Sequence, residues 1–240
     1  MAHLAGGCIW RQAPAAWKTG KMQPFDKVQP IVLLVDKTDP AAHRDAVAAA
    51  AVASVSAYAA TGDSEAWDNW LYGRFTKTVR RANPTTFARL AATAPSGPVS
   101  VGQAQAIAYE PVTYEQMPKD LGKLQVSGTQ LPDGEPAPWP EGAPVIFLNA
   151  DLEMSTGKAS AQAAHALLSW YLELPFAEQL AWQDAGNPAG VRFVSADRFS
   201  ALAESETSGP LIVDAGMTEI EPDTATAFVA VCAEESTVHP

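Results

Sequence analysis

Apolar positions along this chain fall into runs of two lengths, and the two alternate. Short runs at residues 31–35 and 145–148 are continuously apolar and rich in branched side chains, a pattern that predicts strands buried on both faces. Each is followed by a long alanine-rich stretch, residues 44–58 and 158–172, which predicts a helix. An amphipathic segment bearing tryptophans comes next (Trp67 and Trp70; Trp182). A short strand around Val79 or Val191, a helix around Phe87 or Phe199 and a strand around Val99 or Leu211 follow. A last strand is expected at 106–109 and again at 227–232. Strands alternating with helices predict an α/β fold whose mixed sheet is covered by helices.

The order of elements is repeated because the sequence is. Residues 78–101 fall on 190–213 at a constant offset of 112 without a gap, so that Val79-Arg80 meets Val191-Arg192, Phe87 meets Phe199, and Ser96-Gly97-Pro98 meets Ser208-Gly209-Pro210. Upstream, Pro30 falls on Pro144 at an offset of 114, and the same offset lays the first alanine-rich helix on the second. We read two tandem copies of a small three-layer α/β unit, each a mixed four-stranded sheet flanked by helices, forming a pseudo-dimer in one chain. The expected boundaries are an extension at 1–24, a first copy at 25–130, an exposed, stiff Pro-rich linker at 131–143 and a second copy at 144–240.

Charge divides the chain along the same line. Of the formal net charge of −11, residues 1–128 contribute +3 (13 basic, 10 acidic) and residues 129–240 contribute −14 (3 basic, 17 acidic). A polyanionic partner would therefore have to be met mainly by the first half. The two cysteines, Cys8 and Cys232, have no CxxC or Cys/His spacing, so neither a disulfide framework nor a metal site is suggested. The N-terminal stretch lacks the pattern of a secretory signal, and the alanine-rich run at 46–60 is short for a membrane span, so the expectation is a soluble cytoplasmic protein with no membrane partner.

Two constellations in the second copy carry chemistry. Ser155 or Thr156 is a plausible N-cap that places Lys158 in the first helical turn, and Lys158, Gln162 and His165 at i, i+4 and i+7 share a helix face. Asp214 follows the apolar strand 211–213 and is succeeded by Ala215-Gly216-Met217-Thr218, with Thr226 at the start of the last strand. A carboxylate at a strand end with hydroxyls nearby suits orientation of a water, and a cation beside it suits a developing oxyanion. Taken singly, each residue also has an ordinary structural reading: a solvated first-turn lysine, a packed histidine, an Asp-Ala-Gly turn.

Together the two stretches, GKxxAQxxHA after the first strand and DAGxTxIxP with a threonine before the last, resemble the signature of the type 2 peptidyl-tRNA hydrolase family. The resemblance spans nearly all of the second copy. It implies hydrolysis of the ester joining a peptide to the 3′ ribose of tRNA, with no metal or cofactor. It carries the family's catalytic roles onto Lys158, Asp214, Thr218 and Thr226, and substrate-facing positions onto Gly157, Gln162 and His165. Four positions where the family is usually basic are neutral here: Asn149, one of Ser155 and Thr156, Met217 and Ala225.

In the first copy the register sets Ala48 opposite Gln162, Ala51 opposite His165 and Gly102 opposite Asp214; only Arg44 keeps the charge of Lys158. No hydrolysis is expected there. Its cluster Arg74, Lys77, Arg80 and Arg81, with Tyr72 and Phe75 interleaved, reads either as phosphate contacts that the second copy lacks or as solvated charges beside a strand. Of these, Arg74, Lys77 and Arg81 are the candidates for tRNA, and the Arg80–Arg192 match marks Arg80 as structural. The sequence thus points to a peptidyl-tRNA hydrolase, acting as a monomer that contains its own pseudo-dimer. The alternatives are a binding or scaffold protein of the same fold and an esterase for a less anionic substrate.

Overall fold

The computed structural model describes residues 26–231 apart from 74, 207, 215, 217 and 218. The first unit runs β1 (Lys27–Leu34), α1 (His43–Thr61), α2 (Glu65–Leu71), β2 (Thr76–Ala82), α3 (Pro84–Ala91), β3 (Val99–Val101), β4 (Ala104–Ala108), β5 (Val112–Thr113) and α4 (Lys119–Gly122). The second runs β6 (Val145–Asn149), α5 (Thr156–Glu173), α6 (Phe176–Asp184), β7 (Gly190–Val194), α7 (Ala196–Ser205), β8 (Ile212–Asp214) and β9 (Thr224–Ala230). The main strand orders are β2-β1-β4-β3 and β7-β6-β9-β8, the same topology twice, with β5 added against β1. In each, the first strand is parallel to its neighbour after the helices and antiparallel to the last strand. Ile31 pairs with Ala108 in the first sheet and Val145 with Ala230 in the second, so each unit's first strand lies between one parallel and one antiparallel neighbour.

Alanine explains how the two units meet. α1 and α5 pack directly on each other between the two sheets, and each also reaches a strand of the opposite unit, α5 touching β2 and α1 touching β7. α1 is buried nearly all round rather than along a stripe. Small side chains let the two backbones approach. The result is one apolar core running from Ile31 and Leu33 in the first sheet, through the alanines of both helices, to Ala227 and Val229 in the second. The outer faces have their own clusters, Phe87 and Leu90 of α3 on Val28, Val32 and Ile107, and Phe199 and Leu202 of α7 on Phe147 and Phe228.

The linker is mostly exposed, as expected of it, but it is tied to both units rather than free. Leu131 is buried, the Pro132 carbonyl accepts from the His43 amide at 2.8 Å, and the Ala137 amide donates to Asp45 Oδ1 at 2.9 Å. Trp139 lies against Gly190, with the Arg192 guanidinium 5.7 Å from its ring centroid. Prolines stiffen this segment, but its free amides and carbonyls are used to bind it across both units.

Arg80 is structural, as its match to Arg192 suggests. It is buried in β2 and donates to the carbonyls of Leu121 and Leu124, each at 3.1 Å, anchoring α4 and the segment after it. Arg80→Met is expected to destabilise the fold by about 2–4 kcal/mol, because carbonyls satisfied by a charged donor would be left without one. A fall in the urea midpoint with unchanged slope checks this.

Candidate active site

The start of α5 is held by several independent contacts, and this fixes where Lys158 emerges. Ser155 is the N-cap: its Oγ accepts from the Lys158 amide at 3.2 Å. Glu219, from the loop between β8 and β9, accepts from both the Ser155 amide (3.0 Å) and the Ser155 hydroxyl (2.7 Å). The Gly157 amide donates to the Thr129 carbonyl at 3.3 Å, so it is committed to the first unit's tail rather than presented outward. A lysine in a first turn is opposed by the helix dipole by a few tenths of a kcal/mol, and a facing carboxylate offsets that.

That carboxylate is Asp214. Although 56 positions separate them, Lys158 Nζ donates to Asp214 Oδ2, and both side chains are nearly enclosed, at 10% and 7% exposure. Gln162 Nε2 donates to the same oxygen at 2.6 Å, while the Gly216 amide donates to Oδ1 at 2.8 Å in a local Asx-type turn. Gly216 is required by the backbone, with φ +71°, and an added Cβ would lie 2.7 Å from Pro222. Behind Gln162, Thr226 Oγ1 lies 3.0 Å from Gln162 Oε1 and 3.1 Å from the Ile212 carbonyl. Acceptance at Oε1 turns the amide nitrogen toward Asp214. A continuous polar chain, Lys158–Asp214–Gln162–Thr226, therefore crosses from α5 to the ends of β8 and β9.

Of the sequence candidates, Lys158, Asp214 and Gln162 meet directly. Thr226 is fully buried and stands behind Gln162. Thr218 lies outside the described residues. His165 is on the predicted face but not in the cleft: seven residues further on, it is about 10 Å along the helix axis. Its Nε2–H donates to the Phe75 carbonyl and its ring stacks on Phe75 (centroids 5.2 Å, 13°), so it belongs to the contact between units. Burial holds its imidazole well below the ordinary pKa, keeping it neutral.

Among its described residues, the basic cluster of the first unit does not assemble as a patch. Arg74 lies outside the described residues. Arg80 and Arg81 are neighbours on one strand and point to opposite faces. Arg81 reaches the Gly128 carbonyl at 2.6 Å, next to Thr129 and hence close to the start of α5. Lys77 is not placed to meet a phosphate: its Nζ is buried, 3.9 Å from the Phe75 ring centroid and 4.5 Å from that of Trp70, with no hydrogen-bond partner. Desolvation holds its amine well below the usual lysine range.

Among the described residues, the first unit has no counterpart of the Lys158–Asp214 pair. A two-residue turn at Gly102-Gln103 replaces the nine residues 215–223, Gly102 has φ +53°, and a side chain there would collide with the Asp45 carboxylate. Sequence reading did not find Glu219, nor the cross-unit contacts of Thr129. Glu219 sits within the quoted DAGxTxIxP stretch at one of its unassigned positions, where an acid five residues before the strand-start Thr224 carries no spacing signal of its own.

The matches to known proteins fall on the second unit. A family model described as Peptidyl-tRNA hydrolase PTH2 matches residues 143–240. The chain is 36% identical over 89 residues to the peptidyl-tRNA hydrolase of Halobacterium salinarum, an alignment covering 35% of this chain and 80% of that protein. It is 34% identical over 96 residues to that of Sulfurisphaera tokodaii (35% and 79%) and 32% identical over 94 residues to that of Sulfolobus acidocaldarius (34% and 78%). No solved structure gives a significant match.

Proposed function

This chain belongs, through its second unit, to the peptidyl-tRNA hydrolase family, and on that premise we propose that it cleaves the ester between a peptide and the 3′ ribose of tRNA at a single site around Lys158 and Asp214. The observation that carries the reading is the convergence of these two side chains at the start of α5, braced by Gln162. Water attacks the ester carbonyl carbon, the bond from that carbon to the ribose oxygen breaks, and the ribose oxygen takes a proton, leaving a peptide carboxylate and a free tRNA terminus. Asp214 orients the water as its acceptor. Lys158 stabilises the negative charge that develops on the carbonyl oxygen. Thr226 keeps Gln162 aligned, and Thr218 is assigned a supporting hydroxyl role by its place in the motif.

The same reading makes the two units duplicated copies, with the first relieved of catalysis and the chain a cytoplasmic monomer containing its own pseudo-dimer. The reciprocal packing of α1 and α5 supports this, being the self-complementary contact of a two-fold dimer. Arg81 is then the first unit's candidate for a tRNA phosphate.

A second reading, a protein of this fold acting on a less anionic ligand, is favoured by the inward Lys77 and Arg80 and the −14 charge of residues 129–240. Incubation with N-blocked aminoacyl-tRNA at low salt separates the two. Release of free tRNA, weakening steeply as salt is raised, is expected of the first. No turnover at high protein concentration removes it.

A further inference from the structure

Resting on the reading of Lys158 and Asp214 as the reacting pair, we propose that His43 of the first unit is a positioning residue for this site, acting through Thr156 to set the first turn of α5. Thr156 is fully buried at the beginning of that helix, two residues before Lys158. Its hydroxyl oxygen accepts from the Leu131 amide at 2.9 Å and lies 2.8 Å from His43 Nδ1. Because the oxygen is already an acceptor, its single proton is best used toward Nδ1, which requires the ring to be neutral with its hydrogen on Nε2. Burial favours that state, depressing the ring's pKa against the opposing pull of Asp133.

The ring is itself fixed. His43 begins α1, its amide donates to Pro132, and its imidazole packs on Phe193 of β7 with centroids 4.9 Å apart. The node therefore joins the first unit, the linker and the second unit at one buried hydroxyl. The adjacent Gly157–Thr129 bond ties the same turn to the same neighbours. A first turn held from one side by Glu219 and from the other by His43, Leu131 and Thr129 has little freedom to move Lys158 relative to Asp214. The first unit thus supplies the other half of the clamp, a function that needs none of the hydrolytic residues.

Four full-length variants test this: His43→Leu and Thr156→Val, which remove the bond, and His43→Asn and Thr156→Ser, which retain a suitable polar atom. Thermal melts select variants that remain folded. In the first pair kcat is expected to fall about tenfold or more, with KM within about twofold, and in the second pair to recover. The loss should vanish when His43→Leu is placed on Lys158→Ala, because the two act through one group. A second measurement, independent of turnover, is acetic anhydride labelling of Lys158 followed by mass spectrometry. Its rate should rise several-fold in His43→Leu and Thr156→Val as the amine loosens from Asp214. Unchanged labelling in these two variants overturns the proposal, as does a loss of kcat that persists in full without Lys158. Wild-type inactivity on peptidyl-tRNA together with altered labelling leaves the clamp standing and overturns the hydrolase reading alone.

Discussion

Asp214→Asn is expected to lower kcat/KM for ester hydrolysis by at least about a hundredfold and to destabilise the protein by about 3 kcal/mol. The two losses have one origin. Asparagine fits the space, but it leaves the Lys158 ammonium almost enclosed and without its counter-charge, and it places an amide donor where Gln162 and Lys158 both donate. Adding Lys158→Met removes the uncompensated charge. The double variant is therefore expected to regain most of the stability and none of the activity, so denaturant melts and tRNA release measured on the same samples distinguish folding from chemistry. Near-wild-type turnover in Asp214→Asn contradicts the assignment of the carboxylate.

Lys77→Met is expected to act in the opposite sense, stabilising the protein by about 1–3 kcal/mol at neutral pH. The lysine amine is buried against Phe75 and Trp70 without a hydrogen bond, and desolvation disfavours its charged form, holding its pKa well below the usual lysine range. In the unfolded chain the same amine has an ordinary pKa of about 10.4. Between the depressed native value and that pH the unfolded state holds one proton more than the native state. Stability must then rise with pH across this window, by up to about 1.4 kcal/mol per unit, and reach its full value only above it. Denaturation of the wild type and of Lys77→Met from pH 7 to 9.5 isolates this group, since the difference between the two should shrink as pH increases. The depressed His165 follows the same sign below its ordinary value, its contribution being complete above about pH 6.5 and lost as the pH falls.

Local periodicity made the elements legible. The order of strands and helices and the cap, expected at Ser155 or Thr156 and found at Ser155, follow from patterns contained within some twenty residues. Lys158 and Asp214 were legible as a pair because both lie in motifs whose joint order is unusual, even though neither is informative alone. What could not be read is set by the docking of α1 on α5, which brings together residues 90 to 113 positions apart. That docking turned His165 from a cleft residue into an interface residue and enclosed Lys77. It also gave His43 a partner. The Arg80–Arg81 pair is different, since strand alternation alone assigns the two side chains to opposite faces; a count of basic residues overlooks it.

Because the apolar interior passes without a break through both alanine-rich helices, neither unit owns a complete hydrophobic centre. Separating the two units would strip α5 of the surface that shields it and the Thr156 hydroxyl of His43, its partner from the first unit. On the proposed reading, the half that carries the family signature does not stand apart from the first unit, because α1 supplies part of the surface against which its leading helix is set.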